Sequence, residues 1–282
     1  MLEKGLVVAM NARVIGSGTE LLVLAHGFGA DQSIWDKVVS CLTDKSRVLL
    51  FDWVFSGAVK DEKLFDPIKY ESFTGFADDL IELLGEMGFE NEECVFVGHS
   101  MACMVGCIAS IKRPELFKKL VLVAGSPRYL NTEDYDGGLK PSDIENILTN
   151  IETNFDAWTT FFPTLVIDPA DPSSVQKFQA CLKRMRPHIA HRVAKTTFLS
   201  DERELLDKVI TPCAIVQATN DMVVPMCVAE YMHKRINGET TLDIIECEGH
   251  FPMLTAHGRL VEILEKVLGL EQLPAGLVED ER

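Results

Sequence analysis

The stretch VFVGHSMACMVG, residues 95–106, sets three β-formers against a run of small residues, with one serine at the seam. Val95, Phe96 and Val97 read as the end of a buried strand, while Ala102, Cys103, Gly106, Cys107 and Ala109 read as a closely packed helix. A strand and a helix that meet at one residue must turn sharply there, and the turn lifts the Ser100 hydroxyl clear of the backbone. Gly98, His99, Ser100, Met101 and Ala102 follow the G-x-S-x-G pattern of such elbows, with a small alanine replacing the last glycine.

The same alternation runs along the chain and predicts an α/β architecture around a mostly parallel sheet. LLVLAHGF (21–28) is an apolar strand running into a glycine loop, and a helical period at 34–42 precedes the strand RVLLFDW. Phe73, Phe76, Leu80, Leu83, Leu84 and Met87 recur at helical spacing between a capping Ser72 and a stopping Gly88. KLVLVAGSP, PCAIVQAT and TLDIIEC supply further strands, with helices expected at 228–236 and 260–268. GSG at 16–18 reads as the turn of an early hairpin.

From 129 to 205 the alternation stops, and four helical periods remain, at 142–151, 154–162, 174–185 and 188–198, broken at Pro163, Pro169, Pro172 and Pro187. The expected division is a core of 1–128 and 206–270, a helical lid of 129–205, and a polar, disordered tail of 271–282. Phe155, Trp158, Phe161, Phe162, Phe178 and Phe198 make the insertion more aromatic than four short helices packed on a sheet require. An apolar chamber beneath a lid accounts for the surplus.

Composition narrows the function. A formal charge of −16 over 282 residues repels phosphate backbones and anionic lipid, so nucleic-acid and membrane-surface partners are not expected. The amino end lacks the basic start and cleavage site of a secretory signal, and no apolar run reaches membrane-spanning length. Eight scattered cysteines without a C-x-x-C pair read as buried reduced thiols. There is no metal-ligand spacing, phosphate loop or dinucleotide fingerprint, so no metal and no cofactor are expected. His188 and His191, three apart on a helical period, read as surface residues.

A serine becomes a nucleophile only with a base to take its proton and a carboxylate to orient that base. In the order serine, acid, histidine, the base comes from His233, His250 or His257. His250 directly follows the strand TLDIIEC, whereas His233 falls inside a helical period and His257 in a later connection. Asp221, in ATNDMVVP just past PCAIVQAT, is better placed as the acid than Asp207 or Asp243. The oxyanion needs two backbone donors, and Met101, after the nucleophile, and Phe28, in HGFG, fit. Serine rather than aspartate as nucleophile favours ester or lactone attack. A plain metabolic carboxylesterase or lactonase and a non-catalytic binding module with a relic triad stand as alternatives.

From Leu6 to Leu268 the chain resembles the plant strigolactone and karrikin receptor hydrolases. The likeness is carried by AHGFGADQSIWDKV, by SPRY at 126–129 followed by EDYDGG, and by SIKRPELF, MRPHIA and SDERELL. FDWVFSGAVKD and GHSMA look most like the DWARF14-like branch. The resemblance implies an α/β-hydrolase fold with helices on both faces of the sheet and a four-helix lid inserted after the sixth strand. It implies slow hydrolysis of a small apolar butenolide in a pocket of Phe28, Ala124, Tyr129, Ile147, Trp158, Phe162, Leu165, Phe178 and Phe198. It further implies residence in cytoplasm and nucleus and a lid that recruits an F-box protein and a repressor. A monomer is expected because no long exposed apolar helix face stands out. The chain departs from the family at Phe55, where a glycine is common, at Ala102 and at Glu248. Phe55 is expected to fill space near the pocket mouth.

Overall fold

The near-continuous apolar runs of the sequence are strands covered on both faces, as a parallel sheet requires. The computed structural model describes residues 5–270, so the expected tail at 271–282 lies outside the described residues. Seven strands, β1 (Arg13–Ile15), β2 (Glu20–Ala25), β3 (Ser46–Leu50), β4 (Cys94–His99), β5 (Phe117–Val123), β6 (Cys213–Asn220) and β7 (Thr240–Glu248), form one sheet in the order β1-β3-β2-β4-β5-β6-β7. β1 is antiparallel to β3, and every other pair is parallel. All of β4 is buried, whereas the edge strand β7 alternates between exposed and covered positions.

The flanking helices are α1 (Leu6–Ala9), α2 (Asp36–Leu42), α3 (Phe73–Glu86) and α4 (Met101–Lys112) before the insertion. The insertion holds α5 (Pro141–Thr153), α6 (Phe155–Val166), α7 (Pro172–Arg184) and α8 (Pro187–Leu199), and α9 (Met226–Arg235), α10 (Pro252–Thr255) and α11 (His257–Val267) follow it. Three insertion helices begin on a proline, where the missing N–H belongs to a group without an intrahelical partner. Pro163 does not break its helix as expected; α6 runs through it for a last turn, closed by Ile167 N donating to Pro163 O at 3.1 Å.

Two expectations fail in the order of the strands. Leu6–Ala9 is a helical turn and β1 pairs with β3, so residues 16–18 are not a hairpin turn. That loop instead crosses the start of β3, with Ser17 N donating to Thr43 O at 3.2 Å, before entering β2. Five strands precede the helical insertion, so it follows the fifth strand, not the sixth.

Helices α7 and α8 are tied by polar contacts to α2 and to the loops that flank it and precede α3. Arg184 pairs with Asp31, Lys177 with Asp36 at 2.8 Å and Arg186 with Glu62 at 3.0 Å, while Thr196 Oγ1 donates to Tyr70 O at 3.0 Å. Phe55 is not at the pocket mouth. It is buried, with its ring edge-on to Phe76 at 5.6 Å and to His26 at 5.7 Å, in an aromatic cluster that also holds Trp53 and Tyr70. An apolar ring beside an aromatic core gains more from that contact than from a half-wet rim. The cysteines are unpaired, but not all are buried as expected: Cys41 and Cys227 are exposed, while burial pushes the thiols of Cys94 and Cys213 up to about 12.

Candidate active site

Parallel strands deliver their carboxyl ends to one edge of the sheet, and the segments leaving β2, β4, β5, β6 and β7 converge there. Ser100 connects β4 to α4 with φ 56° and ψ −122°, a conformation costing a residue with a Cβ about 1–3 kcal/mol. Close packing holds it there. A Cβ on Gly98 would stand 2.8 Å from the backbone of Ala102 and Cys103, so only glycine lets the helix fold back onto the strand.

The residues foreseen as base and acid come together at this edge. Ser100 Oγ lies 2.9 Å from His250 Nε2, and His250 Nδ1 lies 2.7 Å from Asp221 Oδ2. Asp221 Oδ1 accepts from Val223 N at 2.8 Å and Val224 N at 3.1 Å, and Gln217 Nε2 stands 3.3 Å from Oδ2. A carboxylate so supplied with donors is held aimed at the ring. It fixes the proton of neutral His250 on Nδ1 and leaves Nε2 as the acceptor for the serine proton. His250 N donates in turn to Val166 O at 2.7 Å, so the end of α6 grips the histidine loop.

Two further histidines, not foreseen in the site, brace it. His99 Nε2–H donates to the backbone oxygen of His250 at 2.9 Å, and its ring lies 4.9 Å from that of His250. Burial and the neighbouring His250 hold the His99 pKa well below the usual range, so it stays neutral beside a base that must become positive. His26 Nδ1–H donates to Gly27 O at 2.9 Å, while Trp53 N donates to His26 Nε2 at 3.1 Å and Trp53 Nε1 to His26 O at 2.8 Å. Fixing the Gly27 carbonyl turns the N–H of the same peptide, that of Phe28, the opposite way. Among the described residues neither Phe28 N nor Met101 N donates a hydrogen bond. A Cβ on Gly27 would lie 2.9 Å from Ser100 Cβ, so the loop approaches the nucleophile as closely as a backbone can. These two N–H groups are available to a developing oxyanion.

The apolar space is divided. Directly over Ser100 lies a cavity of about 20 Å³ walled by Phe28, Phe162, Phe178, Phe198, His250 and Phe251, among others. Outside it, a groove of about 710 Å³ runs between α5, α6 and the 222–223 loop and is lined in part by Ile147, Trp158, Phe162, Leu165 and Phe198. Phe162, Val166, Phe198 and Val223 belong to both and form the partition. Ala124 and Tyr129 line neither space. Ala124 is buried at the end of β5, its N–H donating to Val216 O at 2.8 Å, and the Tyr129 hydroxyl points at Ser100 Oγ, 3.2 Å away. The early residues His26, Trp53 and His99 carried no spacing signal as supports, because their partners lie 27 to 151 positions away in the chain.

Comparison with known proteins agrees with this construction. A sequence model of the alpha/beta hydrolase family matches residues 22–263. The chain is 40% identical to a strigolactone esterase of Arabidopsis thaliana over 268 residues, covering 95% of this chain and 99% of the relative. It is 41% identical to a karrikin insensitive 2 receptor of Petunia hybrida over 257 residues, covering 91% and 94%. Among solved structures, a hydrolase from Oleispira antarctica superposes with a TM-score of 0.89 at 28% identity, covering 94% of this chain and 97% of that one. Among the described residues no helix is long and apolar enough to cross a membrane. With a serine, a histidine and an aspartate in hydrogen-bonded line at the carboxyl edge of its sheet, the chain belongs to the alpha/beta hydrolase family and, within it, to the family of the strigolactone esterases and karrikin receptors.

Proposed function

We propose that this chain is a serine hydrolase that binds and slowly cleaves a butenolide-type signal, acting as a receptor or a modulator of such signalling. The observation that carries the reading is the unbroken hydrogen-bonded line from Ser100 through His250 to Asp221, at 2.9 and 2.7 Å, beneath an aromatic roof. Ser100 Oγ attacks the carbonyl carbon of the ester or lactone as its proton passes to His250 Nε2. Asp221 stabilises the resulting imidazolium, and the N–H groups of Phe28 and Met101 receive the oxyanion. Collapse expels the enol-linked alcohol, which takes its proton from His250. Water then repeats the sequence on the acyl-enzyme and restores the serine.

Ile147, Trp158, Phe162, Leu165, Phe178 and Phe198 are the pocket of this reading, with 129–205 as the lid. A space of about 20 Å³ holds roughly one water molecule, so a lactone reaches Ser100 only when the partition at Phe162 and Phe198 swings aside. Slow turnover follows from that gating. Kinship with receptors supports recruitment of an F-box protein and a repressor through the lid, a monomeric state, and residence in cytoplasm and nucleus. FDWVFSGAVKD and GHSMA support the DWARF14-like branch.

The test is release of fluorophore from a fluorogenic butenolide by the purified protein. Ser100→Ala should abolish it, and undiminished release by that variant refutes the assigned nucleophile. The crowding over Ser100 also favours a second reading, a binding module that holds its ligand in the outer groove without cleaving it. A ligand-induced rise in melting temperature, with neither product nor adduct on His250 by intact mass, selects that reading.

A further inference from the structure

Counting protons around Ser100 Oγ leaves one consistent arrangement. The Asp221 carboxylate keeps the His250 proton on Nδ1, so Nε2 can only accept, and the single serine hydrogen is committed to it at 2.9 Å. The Tyr129 hydroxyl, 3.2 Å from the same Oγ, must then be the donor of that contact. Tyr129 is fully buried and, among the described residues, its hydroxyl has no other partner. Burial pushes its pKa well above the ordinary phenol range, so the hydroxyl keeps its proton at any working pH.

The position of Tyr129 is rigid. Its carbonyl accepts from Leu139 N at 3.0 Å, and Asn131 N donates to Leu139 O at 2.8 Å, closing the loop 129–139 at its base. Its ring lies edge-on against Phe198 at 5.5 Å. The hydroxyl therefore meets Oγ from a fixed direction, without a rotamer search at each turnover.

From this geometry we infer that Tyr129 is a fourth member of the reacting group, whose phenolic O–H holds the Ser100 hydroxyl in its attacking orientation and steadies the charge that builds on Oγ. The inference rests on the serine-hydrolase reading and deepens it. Oγ has two lone pairs; Tyr129 occupies one, the second faces the carbonyl carbon, and the hydrogen faces His250. As the proton moves to Nε2 and the Oγ–carbon bond forms, Oγ is richest in electrons, and a donor tightens its hydrogen bond at that moment. In deacylation, water adds to the acyl carbon as His250 takes its proton; when that tetrahedral intermediate collapses, the carbon–Oγ bond breaks, its electron pair returns to Oγ, and the proton passes from His250 to Oγ. The same phenol stabilises that oxygen again.

The experiment measures the second-order rate of labelling by a fluorophosphonate, together with the burst of p-nitrophenol from p-nitrophenyl acetate. Wild type, Ser100→Ala, Tyr129→Phe and protein carrying fluorinated tyrosines at position 129 are compared. Ser100→Ala should take no label; if it labels as wild type does, the serine reading itself fails, whatever Tyr129 does. With that control in place, Tyr129→Phe should label and burst roughly 10- to 100-fold more slowly at unchanged KM, the loss of one hydrogen bond to a charged oxygen. The fluorinated phenols, which keep the ring packing, should speed labelling as their acidity rises. Labelling by Tyr129→Phe at or above the wild-type rate, or rates indifferent to phenol acidity, overturns the inference.

Discussion

Replacing Asp221 by asparagine tests the hydrogen-bonded line to Ser100 where the structure makes the sharpest forecast. The side chain is isosteric, but an amide has one acceptor and one donor end where the carboxylate has two acceptors. Val223 N and Val224 N both point at Oδ1, at 2.8 and 3.1 Å, so the amide oxygen must occupy that position. Its NH₂ then falls where Oδ2 meets His250 Nδ1 at 2.7 Å. Two donors cannot face each other there, so the neutral ring shifts its proton to Nε2. That proton confronts Ser100 Oγ at 2.9 Å and removes the base from the serine. A wrong tautomer of this kind costs about 10⁴ in kcat, or about 5.4 kcal/mol of transition-state stabilisation. The assay is kcat/KM on a fluorogenic butenolide beside fluorophosphonate labelling, with a urea melt to show that the fold survives. A loss of less than about tenfold, with the fold intact, would refute the tautomer argument.

Three further outcomes follow from the same geometry. Phe162→Ala removes part of the partition between the spaces of about 20 and 710 Å³, so hydrolysis of bulky esters should rise relative to acetate, at a stability cost of about 1–2 kcal/mol for a half-buried ring; an unchanged ratio of the two rates counts against gating. Gly98→Ala puts a Cβ 2.8 Å from the backbone of Ala102 and Cys103 and should cost at least about 3 kcal/mol and the activity, as read by chemical denaturation and fluorophosphonate labelling. Below about pH 6.5 the unfolded chain binds protons at His26 and His99 that the folded chain refuses, because burial lowers both folded pKa values. Stability is therefore fully present above that pH and falls as the pH drops, by about 1.4 kcal/mol per unit for each of the two, until their folded values are reached; urea midpoints between about pH 7.5 and about pH 5.5 should decline accordingly, and a flat profile contradicts it.

The elbow shows why so much of the site was legible in the sequence. Gly98, Ser100 and Ala102 are neighbours in the chain, and their spacing is a local steric requirement. Asp221 and His250 were legible for a related reason: each directly follows an apolar strand, and parallel strands end on one side. GSG at 16–18 misled because a short glycine-containing segment before a strand fits either a hairpin turn or a crossover loop. Only the pairing of β1 with β3 decided against the hairpin. Phe55 misled because a residue type states its size, not the direction in which it points.

The sequence by itself determined the alternation that makes the sheet, the strained serine turn, and the order in which nucleophile, acid and base appear, since each depends on covalent spacing and on the apolar periods of single segments. Tertiary structure alone decided the rest. Tyr129 left the pocket wall for Ser100 Oγ, Phe55 joined the aromatic core, His26 and Trp53 clamped the Phe28 peptide, and Phe162 and Phe198 divided the apolar space. Such contacts join residues far apart in the chain, and their distances and directions exist only once the elements have packed.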